Sequence, residues 1–238
     1  MVIVDFFLGI GSRYSYLAAS QVERIEATYG CRFIWKPIAS GALMDRRGDN
    51  PFRGEPVSGQ YDWGYREYDA KCWAAYYGIP FREPVKFRVD PVSLALACLA
   101  ADRQGALVAC CRLLQRLIFI DGRVIDDGAL RGLAEQLGLD EPMFERDRTA
   151  PETGARHDGL LEEARSRGAF GVPTFFLGAR MFWGNDRLVL LEAALIDRCD
   201  TASGARPHHV GVFDGDFSGD RFYSLPDVVG RSALNTKI

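Results

Sequence analysis

Two serines three residues apart stand where a buried apolar run ends and a helix begins. The run is Val2-Ile3-Val4-Asp5-Phe6-Phe7-Leu8; Gly9 and Gly11 break it just before Ser12-Arg13-Tyr14-Ser15. A helix start presents unpaired backbone N–H groups and the positive end of the macrodipole, so it favours negative charge. A hydroxyl there can donate a hydrogen bond to an anion. It can equally be a plain N-cap that accepts from an N–H two or three residues on. Cysteine is absent from residues 1–30, which excludes disulfide exchange at this position. Far along the chain stand Gly171-Val172-Pro173-Thr174 and Trp183-Gly184-Asn185-Asp186, the second just before another helix. Gly184 permits close backbone approach or positive φ. The N–H groups at that helix start can hold a carboxylate, and Asp186 can pair with an ammonium. The same tetrad also reads as an Asn/Asp cap beside a buried tryptophan.

The elements that must position these groups follow from periodicity. Residues 2–8 are an apolar run interrupted only by Asp5, as a buried strand should be. From Ser15 to Tyr29 apolar residues recur with helical spacing, and Gly30 ends the helix. Cys31 to Lys36 alternates and reads as a second strand, completing a βαβ unit. Residues 39–60, rich in Gly, Pro, Arg and Asp, read as a long loop. Tyr61–Tyr77 is a predicted helix, and residues 91–166 hold four or five more, among them Val92–Ala101, Leu107–Ile120, Asp127–Leu137 and Glu152–Arg165. Strands return at Thr174–Leu177 and Arg180–Phe182 around Gly178, and a helix spans residues 187–198. Residues 199–238 keep no period; they read as a loosely ordered tail or as an arm that packs its aromatics on the parent domain or a second subunit.

This order of elements, with the Ser12, Val172-Pro173 and Trp183–Asp186 motifs, resembles the 2-hydroxychromene-2-carboxylate isomerases and kappa-class glutathione transferases, of the DsbA-like branch of the thioredoxin fold. Val124-Ile125-Asp126-Asp127 and Ala134–Leu139 also resemble the family's helical subdomain. The resemblance implies an α/β, thioredoxin-like fold over residues 1–198 with an inserted all-helical subdomain at about 61–167, and a C-terminal extension at 199–238. It implies glutathione as cofactor. Ser12 would hold its thiolate, and Val172, turned outward by a cis bond to Pro173, would pair with its backbone. Trp183, Gly184, Asn185 and Asp186 would hold its γ-glutamyl end. A free thiol has a pKa near 8.5, and lowering it by about two units needs roughly 2.7 kcal/mol of preference for the anion. One charge-assisted hydrogen bond and a helix N-terminus are of that size.

Tyr14, Lys36 and Tyr61 are candidates for the substrate side, with Trp35 and Trp63 as further lining. The family's asparagine and lysine in the 39–60 region have no clear match; Asn50, Ser58, Arg46 and Arg47 are candidates. Arg13 stands where the family usually has proline, adding a cation beside the thiolate or reshaping the pocket. The implied activity is a glutathione-dependent isomerisation of an aromatic or conjugated small molecule. A kappa-type transferase and a non-catalytic thioredoxin-fold binding protein are the alternatives. A homodimer is expected by analogy.

Composition narrows the rest. The net charge is −3 and no basic tract reaches five residues, which disfavours nucleic acid and polybasic membrane attachment. No apolar run is long enough to span a bilayer, and the N-terminus reads as a strand rather than a signal peptide, so a cytoplasmic protein is expected. Six cysteines form no Cys-x-x-Cys pair and read as free thiols. His157, His208 and His209 show no metal spacing and read as surface groups; no metal is expected.

Overall fold

The apolar run opening the chain forms a central strand, and its two phenylalanines point opposite ways. The computed structural model describes residues 1–45, 63–84 and 90–203; the side chains of 44, 45, 63 and 198–203 fall outside that description. Strand β1 (Val2–Leu8) pairs in parallel with β2 (Cys31–Pro37) and antiparallel with β3 (Thr174–Leu177), which pairs antiparallel with β4 (Arg180–Trp183). The order is β2-β1-β3-β4. Alternation along β1 sends Phe6 to one face, stacked on Phe175 at 4.8 Å, and Phe7 to the other, edge-on to Phe176 at 5.8 Å. All four rings are fully or almost fully buried, and burying each is worth about 1.5–3 kcal/mol.

On the Phe6 face lie α1 (Arg13–Ala19), α2 (Val22–Tyr29) and most of the helical block: α4 (Trp63–Tyr77), α5 (Pro91–Asp102), α6 (Leu107–Phe119), α7 (Asp127–Arg131), α8 (Leu133–Leu137) and α9 (Glu141–Thr149). On the Phe7 face, α10 (Pro151–Ser166) contributes Leu161 and Ala164 to a smaller core with Ile38, Leu43, Ala169 and Phe176. The short helix α3 (Gly41–Asp45) follows β2, and α11 (Leu188–Ser203) follows β4 through a 3-10 turn at Asn185–Arg187. This is the thioredoxin-like arrangement, with a helical subdomain between β2 and β3. Among the described residues no helix is long and apolar enough to cross a membrane.

Several boundaries differ from the expected ones for local reasons. The single helix expected from Ser15 to Tyr29 is two, because the Ser20 hydroxyl donates to Leu17 O at 2.6 Å and tightens the chain there. Asp127–Leu137 likewise splits at Gly132. Helix α9 forms where only a separating step was expected; Asp140 caps it, accepting from Met143 N–H at 2.7 Å, and proline sits in its first turn. Helix α3 occupies the start of the expected loop, and α11 runs past residue 198 to Ser203, before Gly204. Asn50, Ser58, Arg46, Arg47, Tyr61, His208, His209 and the tail from residue 204 lie outside the described residues.

His157 is a correction. Expected at the surface, it is 4 % exposed, and its Nε2 accepts from Ala39 N–H at 3.1 Å. That acceptor role puts the ring proton on Nδ1, which faces Asp158 Oδ1 at 3.3 Å.

A charged cluster ties α10 to the sheet. Lys36 Nζ lies 2.9 Å from Asp5 Oδ1 and 2.6 Å from Glu163 Oε1, and Arg167 Nη1 lies 2.7 Å from Asp5 Oδ2. Burial pushes the Asp5 carboxyl up, but the hydrogen bonds from Arg167 and Lys36 outweigh it and hold the group below its ordinary value. A carboxyl depressed in the folded state stabilises at pH above its unfolded value, near 3.8, and loses that contribution as pH falls through the lower folded value. Asp5→Asn is therefore expected to cost about 1–3 kcal/mol at neutral pH, between the exposed and fully buried limits for ion pairs. Urea titrations at a series of pH values check it: the gap from wild type must close in acid.

Candidate active site

The turn after β1 is built by its own serines. Gly9 N–H donates to Ser15 Oγ at 3.2 Å, and Ser12 N–H donates to Gly9 O at 3.0 Å. Ser15 is fully buried and structural. Ser12 has extended backbone and caps α1, its Oγ accepting from Ser15 N–H at 3.3 Å. Capping uses a lone pair of that oxygen and leaves the hydroxyl proton available, so cap and donor are compatible roles. Ser12 is half-buried at the mouth of the turn.

The second segment arrives through strand pairing. Phe7 faces Thr174 in the β1–β3 register, and continuing that register by two residues sets Gly9 across from Val172. The Val172–Pro173 bond is cis. Thr174 Oγ1 donates to Gly171 O at 2.7 Å, and Gly184 N–H donates to Pro173 O at 2.9 Å, so the proline loop and the end of β4 form one unit. Gly9 marks where the halves meet: a methyl built on it would lie 3.0 Å from Val172 Cγ2, 3.5 Å from Ser40 Oγ and 3.6 Å from Ser12 Cβ. Ser40 was not anticipated; it stands in a stretch whose composition says only "loop".

The Trp183–Asp186 segment presents mixed faces. Trp183 is 47 % exposed and lies against Phe170, with ring centroids 4.6 Å apart. Its indole also covers Gly171, where a methyl would come within 2.7 Å of Nε1. Gly184 has φ 111°, a conformation side chains rarely adopt, and the Asp186 carboxylate folds over it. Asp186 is exposed and pairs with Arg187 at 2.6 Å. Asn185 is buried, accepting from Tyr77 OH at 3.2 Å; its Nδ2 has no partner among the described residues.

Helix α4 bridges the two halves. Its Tyr77 reaches Asn185, and its Asp69 accepts from Tyr14 OH at 2.9 Å. Burial, reinforced by Asp69, pushes the Tyr14 phenol up to about 12, so it stays a neutral donor. Arg13 is not a loose cation: its guanidinium pairs with Glu83 at 2.6 Å and its side chain is 10 % exposed. Burial raises the Glu83 carboxyl even against that partner. Removing the cation with Arg13→Met should cost about 1–3 kcal/mol at neutral pH, because the half-buried Glu83 carboxylate loses its ion-pair partner, and the loss should shrink in acid as Glu83 takes up a proton; thermal melts at two pH values measure it. Lys36 is engaged in the Asp5–Glu163 cluster beneath the sheet, and Trp35 is buried in the core, so neither is brought to Ser12 by any contact described.

A family model for the DSBA-like thioredoxin domain matches residues 3–196. The chain belongs to the DSBA-like thioredoxin family. Within it, the chain is similar to the 2-hydroxychromene-2-carboxylate isomerase of Pseudomonas putida, 30 % identical over 83 % of this chain and 96 % of that protein. It is 32 % identical to the enzyme of the same name from Pseudomonas sp. strain C18, over 82 % of this chain and 91 % of that one. A solved 2-hydroxychromene-2-carboxylate isomerase superposes with a TM-score of 0.75 at 28 % identity, covering 85 % of this chain and 98 % of its own. In this DSBA-like member, a serine N-cap and the proline loop face each other across one glycine.

Proposed function

We propose that the protein is a glutathione-dependent isomerase of the 2-hydroxychromene-2-carboxylate isomerase type, acting on an aromatic or conjugated small molecule. The observation that carries this reading is the convergence of Ser12 and Val172 on the bare face of Gly9. Without a side chain, Gly9 lets Ser12, Ser40 and Val172 close on one backbone point, and Val172 makes no backbone hydrogen bond to another described residue. Glutathione, when bound, supplies a thiol whose anion is a nucleophile for a conjugated substrate.

The chain's own residues prepare that chemistry. Ser12 donates its free hydroxyl proton to the sulfur while its lone pair keeps the helix start capped. The α1 N-terminus favours the anion. Val172 offers backbone N–H and C=O to an extended peptide, as a short strand does. At the other end, Asp186 pairs with the ammonium of the γ-glutamyl group. It must first release Arg187, and an exposed pair of this kind is worth no more than about 1 kcal/mol. Asn185 Nδ2, buried without a partner among the described residues, is a donor for the γ-glutamyl carboxylate. With serine in place of cysteine, the turn itself cannot enter a disulfide.

Calorimetry with glutathione tests the cofactor, and total thiol followed through turnover tests the reaction class. An isomerase returns every thiol. A falling thiol count would instead indicate a transferase, and absence of heat with millimolar glutathione would leave a binding protein.

A further inference from the structure

We propose that Ser40 is a second hydroxyl of the thiol site, donating a hydrogen bond to the same sulfur as Ser12; this rests on the glutathione reading above. Three side chains crowd the bare face of Gly9, and Ser40 reaches it with its hydroxyl oxygen. Ser12 Oγ and Ser15 Oγ each accept a backbone hydrogen bond, whereas the half-buried Ser40 hydroxyl has no partner among the described residues.

The support beneath Ser40 is rigid, and α10 provides it. His157 Nε2 accepts from Ala39 N–H at 3.1 Å, and Arg165 Nη2 donates to Ala42 O at 2.9 Å. Ile38 and Leu43, on either side, are buried in the Phe7 core. A donor held in place this way loses little conformational freedom when it meets a guest. Two hydroxyl donors on one thiolate favour the anion more than one does. Ser40 thus extends the site from the strand–helix turn to the segment after β2.

The test titrates the thiol of bound glutathione by its thiolate absorbance in wild type, Ser40→Ala, Ser40→Thr and Ser12→Ala. Ser40→Ala is expected to raise that pKa by about one unit, the size of one hydrogen bond to a charged group. Ser40→Thr should titrate as wild type. Affinity for S-methylglutathione, which has no ionisable thiol, should be the same in wild type and Ser40→Ala, which separates a contact to sulfur from a general disturbance of the site. Ser40→Gly removes the same hydroxyl should Ser40→Ala fold poorly. If the thiol of bound glutathione titrates identically in Ser40→Ala and wild type while Ser12→Ala shifts it, Ser40 does not touch the sulfur and the inference alone fails. If wild type itself binds no glutathione, the cofactor reading falls, and the role of Ser40 with it.

Discussion

Replacing Ser12 with alanine should raise the pKa of the bound thiol by about one to two units and slow turnover at neutral pH roughly tenfold to a hundredfold. The sign follows from which form is lost. Without the hydroxyl the thiolate is less favoured, so the deficit is greatest at low pH and shrinks once the pH exceeds the new pKa. The same substitution removes the helix cap and should cost about 1 kcal/mol of stability. Two companions separate these effects. Ser12→Asn keeps a good cap but changes the donor; Ser12→Thr keeps both. Stability measured by urea titration should therefore recover in both, and the pH–rate profile should recover fully only with threonine. A profile for Ser12→Ala that coincides with wild type at every pH would reduce Ser12 to its capping role.

Filling the bare face of Gly9 should be the other large effect. In Gly9→Val the added Cβ alone already meets Val172 Cγ2, Ser40 Oγ and Ser12 Cβ, before its methyls are placed. Overpacking of this kind costs about 1–3 kcal/mol of stability. Glutathione affinity, measured by calorimetry, should fall more than tenfold, because the substitution occupies the point on which the three side chains converge. Gly159→Ala is the control, since among the described residues nothing outside its own helix turn lies within 4 Å of a methyl added there. Should Gly9→Val bind glutathione as tightly as wild type, the thiol sits elsewhere.

What the sequence discloses is uneven for physical reasons. β1 is legible because it is apolar apart from Asp5, and the Phe6–Phe7 alternation only decides which ring goes where. Pro173 and Gly184 are legible because they constrain backbone, and the backbone constraint is what the structure shows. The break between α1 and α2 is not legible from apolar spacing, since a single serine hydroxyl turning back onto Leu17 O makes it. Ser40 and His157 escape for a different reason. Neither belongs to a pattern; they matter because α10 packs on the Phe7 face and brings residue 157 to residue 39, a contact across 118 positions. Lys36 is a further case: its place near the end of a strand does not disclose that two carboxylates, Asp5 and Glu163, pair with it.

Helix α10 grips the 38–43 segment through His157 and Arg165, and its own C-terminal end leads within a few residues to Val172. Val172, by contrast, is tethered to the sheet as well, through the β1–β3 register and through Gly184 N–H on Pro173 O. A shift of α10 against the sheet would therefore carry residue 40 with it and leave residues 12 and 172 behind.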